Sequence, residues 1–219
     1  LIDDVNGNWW VVYHAYANGY HTLGRSTLIE PIEWTSDGWC RTTQDAVWLS
    51  ENRQPEWKME LSDDFSKPEL GLQWTFWKEY APKALTFTEG EMQVKAKGRT
   101  PADGRLLLVT AMDKCYETEV EVRLGNGNIG GLLLYYNEEA YAGVISDGKN
   151  FTVYRGEEKP LTVTNKIGKN FRVKLLNQGN RLKMSVSADG KSWEVLAQNV
   201  DVARLNHNVY KGFYALRPA

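Results

Sequence analysis

The stretch "GGLLLYYNEEAYAGVISDGKNFTVYRG", residues 130–156, contains three short apolar runs that are separated by polar turn residues. Asp147-Gly148 lies between the second and third runs, and this pair favours a β-hairpin because both residues tolerate the backbone angles of a tight turn. A second Asp-Gly pair follows at 189–190. Strand-like runs with turn signals roughly every 8–12 residues continue toward the end of the chain, a pattern typical of a β-sandwich.

An earlier strand is predicted over residues 9–16, "WWVVYHAY". Side chains alternate between the two faces of a strand, which places four residues on one face: Trp10, Val12, His14 and Tyr16. The other face carries equally bulky residues. We therefore expect this strand to be covered on both sides.

Turn signals surround this strand. Asn6-Gly7 precedes it and predicts a tight hairpin turn of type I′. Residues 21–34 predict the returning strand, and "TSDGWC", residues 35–40, predicts a further turn. The first part of the chain is thus expected to be a small antiparallel sheet.

A break between two parts is expected near residues 50–58. The segment 45–58 is polar, contains Pro55 and has no apolar period. About fifty residues precede this break, too few for an independent β domain. The residues after it are numerous enough to close a sandwich with its own core.

Composition excludes two classes of partner. The 219 residues carry a formal net charge of −2, so the chain lacks the basic footprint of a nucleic-acid-binding protein. No apolar run approaches the roughly 18 residues of a membrane helix. Cys40 and Cys115 have no metal-type partners nearby, and two free, partly buried thiols are favoured over a disulfide.

Several motifs resemble a known enzyme family. "LGR" at 23–25 followed by "EPIEWTSDGW" at 30–39 resembles the closing stretch of the five-bladed β-propeller of glycoside hydrolase family 43, which includes β-xylosidases and α-L-arabinofuranosidases. Three later stretches resemble the concanavalin A-like sandwich attached to many of these enzymes: "LSDDFSKPELGLQWTFW", "GGLLLYYNEEAYAGV" and "KGFYALRPA".

The resemblance implies an all-β fold in which residues 1–52 are the last part of a β-propeller catalytic domain and residues 53–219 form a concanavalin A-like β-sandwich, or jelly roll. Sandwiches of this type return their last strand beside the first, near residues 63–65. "YALRPA", residues 214–219, ends before such a strand is recognisable. We therefore expect the last strand to be absent or supplied otherwise.

The resemblance implies hydrolysis of xylose- or arabinose-containing polysaccharides or oligosaccharides, with inversion at the anomeric carbon. In this mechanism one carboxylate activates water and another protonates the leaving oxygen. In this family the catalytic carboxylates lie in earlier blades, and no match to their motifs is found here. The chain alone is thus expected to be inactive, with the missing propeller blades and a plant-type polysaccharide as its partners. The resemblance also suggests a periplasmic or secreted bacterial protein.

Arg25 is the residue to which the resemblance gives a substrate-binding role. In the family the arginine of this stretch lies at the propeller axis and hydrogen-bonds the sugar of the glycone subsite. A planar guanidinium can bind two adjacent hydroxyls or orient a carboxylate. The alternative is a structural arginine that pairs with a carboxylate such as Glu30.

Other candidate groups are better explained by structural roles. A buried histidine is favoured over a sugar contact for His14, and its spacing from the other histidines does not indicate a zinc site. Glu30, Glu33 and Asp37 are close in sequence, but turn and rim positions are favoured over catalytic ones.

No cofactor is required by this interpretation, although a structural calcium ion remains an alternative at Asp63-Asp64. A turn leading into the first sandwich strand is favoured there. Aromatic residues that could line a sugar-binding surface are favoured as core residues: Trp74, Trp77, Tyr135, Tyr136, Tyr141 and Tyr154. Should some of them bind sugar, the sandwich would be a non-catalytic carbohydrate-binding module; a purely structural module is the further alternative.

Overall fold

The computed structural model of the chain describes residues 1–43 and 59–219. Within these ranges the secondary structure consists of β-strands and two short 3-10 turns, Ala17–Gly19 and Pro82–Ala84. None of the described residues form a helix that is long and apolar enough to cross a membrane. The chain therefore has the all-β fold that its sequence predicts.

Two compact units make up the chain, one of Leu1–Tyr20 and Arg25–Met59 and the other of His21–Gly24 and Glu60–Ala219. The predicted crossing near residues 50–58 lies outside the described residues. The proposed domain boundary between residues 52 and 53 lies outside them as well, so it stays a prediction.

The first unit contains an antiparallel sheet with the strand order β1 (Ile2–Asp3), β2 (Trp9–Ala15), β3 (Ser26–Trp34) and β4 (Cys40–Thr42). Trp10 and Ile32 are its buried apolar residues, whereas Val12, Ile29 and Trp34 are 44%, 42% and 48% exposed. The expectation that β2 is covered on both faces is therefore wrong. No second sheet lies over this one among the described residues of the unit, and several of its large apolar side chains are open to solvent.

The turn between β1 and β2 also differs from its prediction. The Asp4 carboxylate accepts hydrogen bonds from the backbone N–H of Asn6 at 2.8 Å and of Asn8 at 2.9 Å. Gly7 has a positive φ of +80°, but Asn6 does not. A type I′ turn needs positive φ at both central residues, so the loop is instead a wider one organised by Asp4.

The second unit contains a sandwich of two antiparallel sheets. The five-stranded sheet has the order β13-β12-β11-β10-β17, and the four-stranded sheet has the order β16-β15-β14-β9. Two short ladders, β5 with β8 and β6 with β7, accompany them. The strands are β5 (Trp74–Phe76), β6 (Leu85–Thr88), β7 (Glu91–Val94), β8 (Leu107–Val109), β9 (Cys115–Arg123), β10 (Gly130–Asn137), β11 (Ala140–Ser146), β12 (Asn150–Arg155), β13 (Glu158–Thr164), β14 (Asn170–Gln178), β15 (Arg181–Ser187), β16 (Glu194–Asp201) and β17 (Arg217–Pro218).

The main core lies between these two sheets. Alternate residues of each strand point into it, as a half-buried strand requires. Phe151 on β12 and Phe171 on β14 meet edge-to-face at 5.3 Å across the core. Other fully buried members include Leu134, Leu175 and Met184. Burial of this apolar surface is the main stabilising contribution to the unit.

A second apolar cluster lies on the opposite face of the five-stranded sheet. Leu133, Tyr135 and Ile145 pack there with Leu108 of β8. Strand β10 is thus buried on both faces, which explains why "GGLLLYYN" shows no alternation of apolar and polar residues.

Both predicted Asp-Gly hairpin tips are confirmed. Asp147 accepts hydrogen bonds from the backbone N–H of Asn150 and Lys149 between β11 and β12, and Asp189 accepts the equivalent bonds between β15 and β16. The glycines that follow have φ of +86° and +72°. These backbone hydrogen bonds hold the pKa of both carboxyl groups below its usual value.

Residues 217–218 form a short strand. Strand β17 pairs with β10, and Ala219 and Leu133 exchange backbone hydrogen bonds of 2.8 and 2.9 Å. Since β17 lies beside β10 and not beside residues 63–65, the expectation that the strand returning to residues 63–65 is absent or supplied otherwise stays a prediction. Pro218 is compatible with the position because β17 lies at the edge of its sheet, where a missing N–H is tolerated.

Candidate functional site

Arg25 immediately precedes β3, and its side chain is exposed. Glu30, the carboxylate that the sequence offers as a structural partner, accepts a hydrogen bond from the hydroxyl of Tyr13 on the neighbouring strand. This hydrogen bond raises the pKa of the Tyr13 phenol. The substrate-binding role of Arg25 stays a prediction.

Residues 22–24, just before Arg25, belong to the second unit and are held there by hydrogen bonds and close packing. The carbonyl of Thr22 accepts a 2.7 Å hydrogen bond from the N–H of Leu216, and its hydroxyl donates to Asn180 Oδ1 at 2.7 Å. Gly24 has a φ of +77°, and a Cβ there would lie 3.3 Å from that of Ala215. The positive φ favours glycine at this position, and the close approach to Ala215 adds to that preference.

The other carboxylates near Arg25 in sequence have local partners of their own. Glu33 pairs with Arg41 at 3.1 Å across β3 and β4, and both side chains are exposed. Asp37 accepts a hydrogen bond from the hydroxyl of Thr35, which lowers the pKa of the Asp37 carboxyl. These contacts support the turn and rim interpretation over a catalytic one.

The histidines behave differently from expectation. His14 is exposed, so the interpretation of it as a buried histidine is wrong. His21 and His207, far apart in sequence, have ring centroids only 6.2 Å apart, and Phe213 packs on His207 at 5.3 Å. No local sequence pattern indicated this cluster. In the ranges 1–43 and 59–219, no three or more His, Cys, Asp or Glu side chains are grouped so that they could hold a metal ion.

Asp63 and Asp64 are organised as turn residues. Asp63 accepts hydrogen bonds from the backbone N–H of Phe65 at 2.9 Å and from the indole N–H of Trp74 at 2.8 Å. Asp64 accepts one from the backbone N–H of Ser66 at 3.0 Å. These hydrogen bonds support the turn interpretation of Asp63-Asp64 over a calcium site.

Most of the candidate sugar-stacking aromatics are structural. Tyr135 and Tyr136 are fully buried, as predicted, and they lie on opposite faces of β10. Trp77 packs edge-to-face on Tyr135 at 5.2 Å and donates its indole N–H to Glu138 at 2.9 Å. Burial raises the pKa of the Tyr135 phenol. These contacts favour the core interpretation.

The cysteines are both free, as expected, but Cys115 is exposed rather than partly buried. Cys40 is partly buried.

A pocket that the sequence did not indicate lies between residues 96–99 and 127–129. Its volume is about 150 Å³, and its lining includes Lys97, Arg99 and Asn128. The arrangement provides cationic and amide groups on a surface of the second unit.

The fold and these side chains define a two-part all-β protein in which a β-sandwich follows a small antiparallel sheet. Residues 1–40 match the family profile of glycosyl hydrolases family 43, and residues 62–214 match that of the β-xylosidase C-terminal concanavalin A-like domain. The chain belongs to glycoside hydrolase family 43, of which it contains the end of the catalytic domain and the C-terminal sandwich domain.

Individual relatives agree with this assignment. The chain is 35% identical over 107 residues to the non-reducing end α-L-arabinofuranosidase BoGH43B of Bacteroides ovatus; the match covers 45% of this chain and 20% of that protein. The fold is similar to the GH43 protein BlXynB of Bacillus licheniformis, with a TM-score of 0.77 and 20% identity. It is also similar to the xylan β-1,4-xylosidase of Bacillus halodurans, with a TM-score of 0.73 and 19% identity. In both comparisons 99% of this chain covers 47% of the other, so the chain spans about half the length of these proteins.

Proposed function

We propose that this chain is the C-terminal portion of a glycoside hydrolase that cleaves xylose- or arabinose-containing polysaccharides or oligosaccharides. The observation that carries the proposal is the succession, in one chain, of a family 43 catalytic segment and the sandwich domain of β-xylosidases. The arabinofuranosidase named among the relatives supports a pentose as the substrate.

The chemistry in this proposal is inversion by two carboxylates. One carboxylate activates water, and a protonated partner roughly 6.5–9.5 Å away donates a proton to the leaving oxygen. We place both outside this chain, because Glu30 and Glu33 are bonded to their own neighbours, Tyr13 and Arg41. The remaining propeller blades are then the partners that complete the active site.

Arg25 is the group that this chain contributes to substrate binding in the proposal. Its guanidinium would donate two parallel hydrogen bonds to adjacent hydroxyls of the glycone sugar, or to a catalytic carboxylate. The exposure of Arg25 and its position in the "LGR" motif support this role.

The test is an assay of the full-length parent protein with aryl β-xylosides and aryl α-L-arabinofuranosides. Proton NMR of the first-formed sugar should show the inverted anomer. The 219-residue chain, assayed in parallel, should show no turnover. A retained anomer would contradict the mechanism, and turnover by the chain alone would show that its own carboxylates are catalytic.

A second candidate is a non-catalytic module that binds carbohydrate. The observation that favours it is the pocket beside Arg99, which is formed by the sandwich unit alone. Titration of the chain with xylan and arabinan fragments distinguishes this candidate from a purely structural domain, which would bind neither.

A further inference from the structure

The pocket beside Arg99 is formed by two loops of the second unit, residues 96–99 and residues 127–129. Its volume of about 150 Å³ is below the roughly 300–1,000 Å³ of sites for drug-sized ligands. The pocket is therefore suited to a single small group, such as one sugar substituent, and not to a length of polysaccharide chain.

The first loop has a fixed backbone. Gly98 has a φ of +74°, and a Cβ there would lie 2.4 Å from the carbonyl oxygen of Asp103, so only glycine fits. The Asp103 carboxylate accepts hydrogen bonds from the backbone N–H of Arg99 at 3.1 Å and of Thr100 at 2.7 Å. The Asp103 carboxylate is thus bonded to the backbone of the loop that carries Lys97 and Arg99.

The charge of this loop is predominantly positive. Lys97 is paired with Glu79 at 2.5 Å. Arg99 differs, because its guanidinium has no hydrogen-bond or ion-pair partner in the described part of the chain. Asp103 is the one acidic side chain within the run, against four cations: Lys95, Lys97, Arg99 and Arg105. An anion that enters the pocket would therefore meet an uncompensated guanidinium.

The second loop adds neutral polar groups. Gly127 has a φ of +73°, and the backbone N–H of Asn128 bonds to the carbonyl of Gly125 at 3.2 Å, which closes a turn. The Asn128 amide can both donate to and accept from hydroxyl groups. Nearby, Lys169 donates to the side chain of Asn126 at 2.5 Å, which adds a further cation on this side.

We propose that this pocket binds a uronic acid substituent of the polysaccharide, with its carboxylate on Arg99 and a ring hydroxyl on Asn128. The proposal rests on the carbohydrate substrate proposed above. Arginine binds carboxylates through two parallel N–H···O bonds, which are stronger than bonds between neutral groups. The sandwich would then recognise acidic, uronate-bearing substrates in preference to neutral ones.

The test is isothermal titration of the 219-residue chain with xylotriose that carries one glucuronic acid, compared with unsubstituted xylotetraose. The uronate-bearing ligand should bind more tightly, and its affinity should fall between roughly 0.02 and 0.5 M salt because salt screens charge pairs. Arg99→Gln should weaken this binding about tenfold or more, since it removes a charge-assisted hydrogen bond.

The matched control is Arg181→Gln on β15. It removes the same charge from an exposed pair with Asp201 at 3.2 Å, away from the pocket loops in sequence, and should leave binding unchanged. Equal affinity for the acidic and neutral ligands, or unchanged binding by Arg99→Gln, would overturn the proposal. Binding of inorganic phosphate without binding of the uronate-bearing ligand would overturn it too. Since no step requires catalysis, these outcomes are independent of whether the parent protein hydrolyses xylosides.

Discussion

The sheet of the first unit, β1–β4, and the sandwich differ in how far their large apolar side chains are buried. Val12, Ile29 and Trp34 in the first sheet are exposed, whereas Leu175 and Met184 in the sandwich are fully buried. The sandwich encloses a core between two sheets, so it has what a β domain needs to fold by itself. The first sheet has exposed bulky residues on both of its faces, beside the buried Trp10 and Ile32. Such faces are typical of a propeller blade, where neighbouring blades would cover them.

The difference separates stability from function. Residues that stabilise the chain should lie in the sandwich, because burial determines the cost of their removal. The residue proposed to contact the glycone sugar, Arg25, lies in the first unit. Substitutions in the two regions should therefore change different measured quantities.

The largest effect is expected from truncation in the sandwich core. Leu175→Ala on β14 should lower the free energy of unfolding by about 2–5 kcal/mol, since it leaves a cavity at a fully buried position. Ile29→Ala, at a position 42% exposed in the first sheet, should change it by less than about 1 kcal/mol. Urea denaturation followed by tryptophan fluorescence measures both. Equal losses would contradict the contrast between the two regions.

A smaller effect, on catalysis alone, is expected from Arg25. In the full-length parent, Arg25→Ala should lower kcat/KM by roughly 10- to 100-fold, the worth of charge-assisted hydrogen bonds to substrate. Arg41→Ala is the control, because Arg41 is exposed and paired with Glu33 at 3.1 Å. Its kcat/KM should stay within about twofold of the unsubstituted enzyme. Similar losses in both variants would argue against a substrate contact at Arg25.

Loss of a buried polar side chain should cost somewhat less than loss of the core leucine. Asn165 donates to Ser146 Oγ at 3.0 Å and to the Gly168 carbonyl at 2.8 Å, and it accepts from two backbone N–H groups. Asn165→Ala should lower the free energy of unfolding by about 1–3 kcal/mol, since these partners lose their hydrogen bonds. The exposed Asn208, changed to Ala, should alter it by less than about 0.5 kcal/mol. Thermal and urea unfolding give the comparison, and a neutral Asn165→Ala would show that this network does not stabilise the sandwich.

The smallest effect concerns pH and the two hairpin tips. Backbone hydrogen bonds lower the folded-state pKa of Asp147 and Asp189. A depressed carboxyl pKa contributes stability above the unfolded value of about 3.9, and this contribution is lost as pH falls through the folded pKa. The Asp147→Asn, Asp189→Asn double variant should therefore show a weaker loss of stability on acidification below about pH 4. Parallel pH profiles for the variant and the original chain would contradict this account.

Local interactions explain which turns could be predicted. The tips at Asp147-Gly148 and Asp189-Gly190 form because each carboxylate accepts N–H groups from residues two and three positions later. Asn6-Gly7 looked similar, but Asp4 accepts the N–H groups of Asn6 and Asn8 and widens the loop. The nearest hydrogen-bonding side chain, and not the dipeptide alone, decides the turn.

Non-local contacts explain what could not be predicted. Strand β17 has two residues and gains its pairing from β10, so it leaves no pattern in its own sequence. The approach of His21 to His207 and the assembly of the pocket from residues 96–99 and 127–129 have the same origin. The family resemblance implied a role for Arg25, but no motif indicated Arg99.

The sandwich is thus expected to be stable by itself, whereas the first sheet has exposed apolar residues and is expected to be less stable. Residue-resolved hydrogen exchange of the 219-residue chain tests this difference most directly. Amides of β10, β11 and β14 should exchange only through global unfolding, with the largest protection in the chain. Amides of β2 and β3 should exchange through local opening, with protection at least roughly 100-fold lower. Equal protection of β2–β3 and the sandwich strands would contradict the account, because it would show that the first sheet is as stable as the sandwich core.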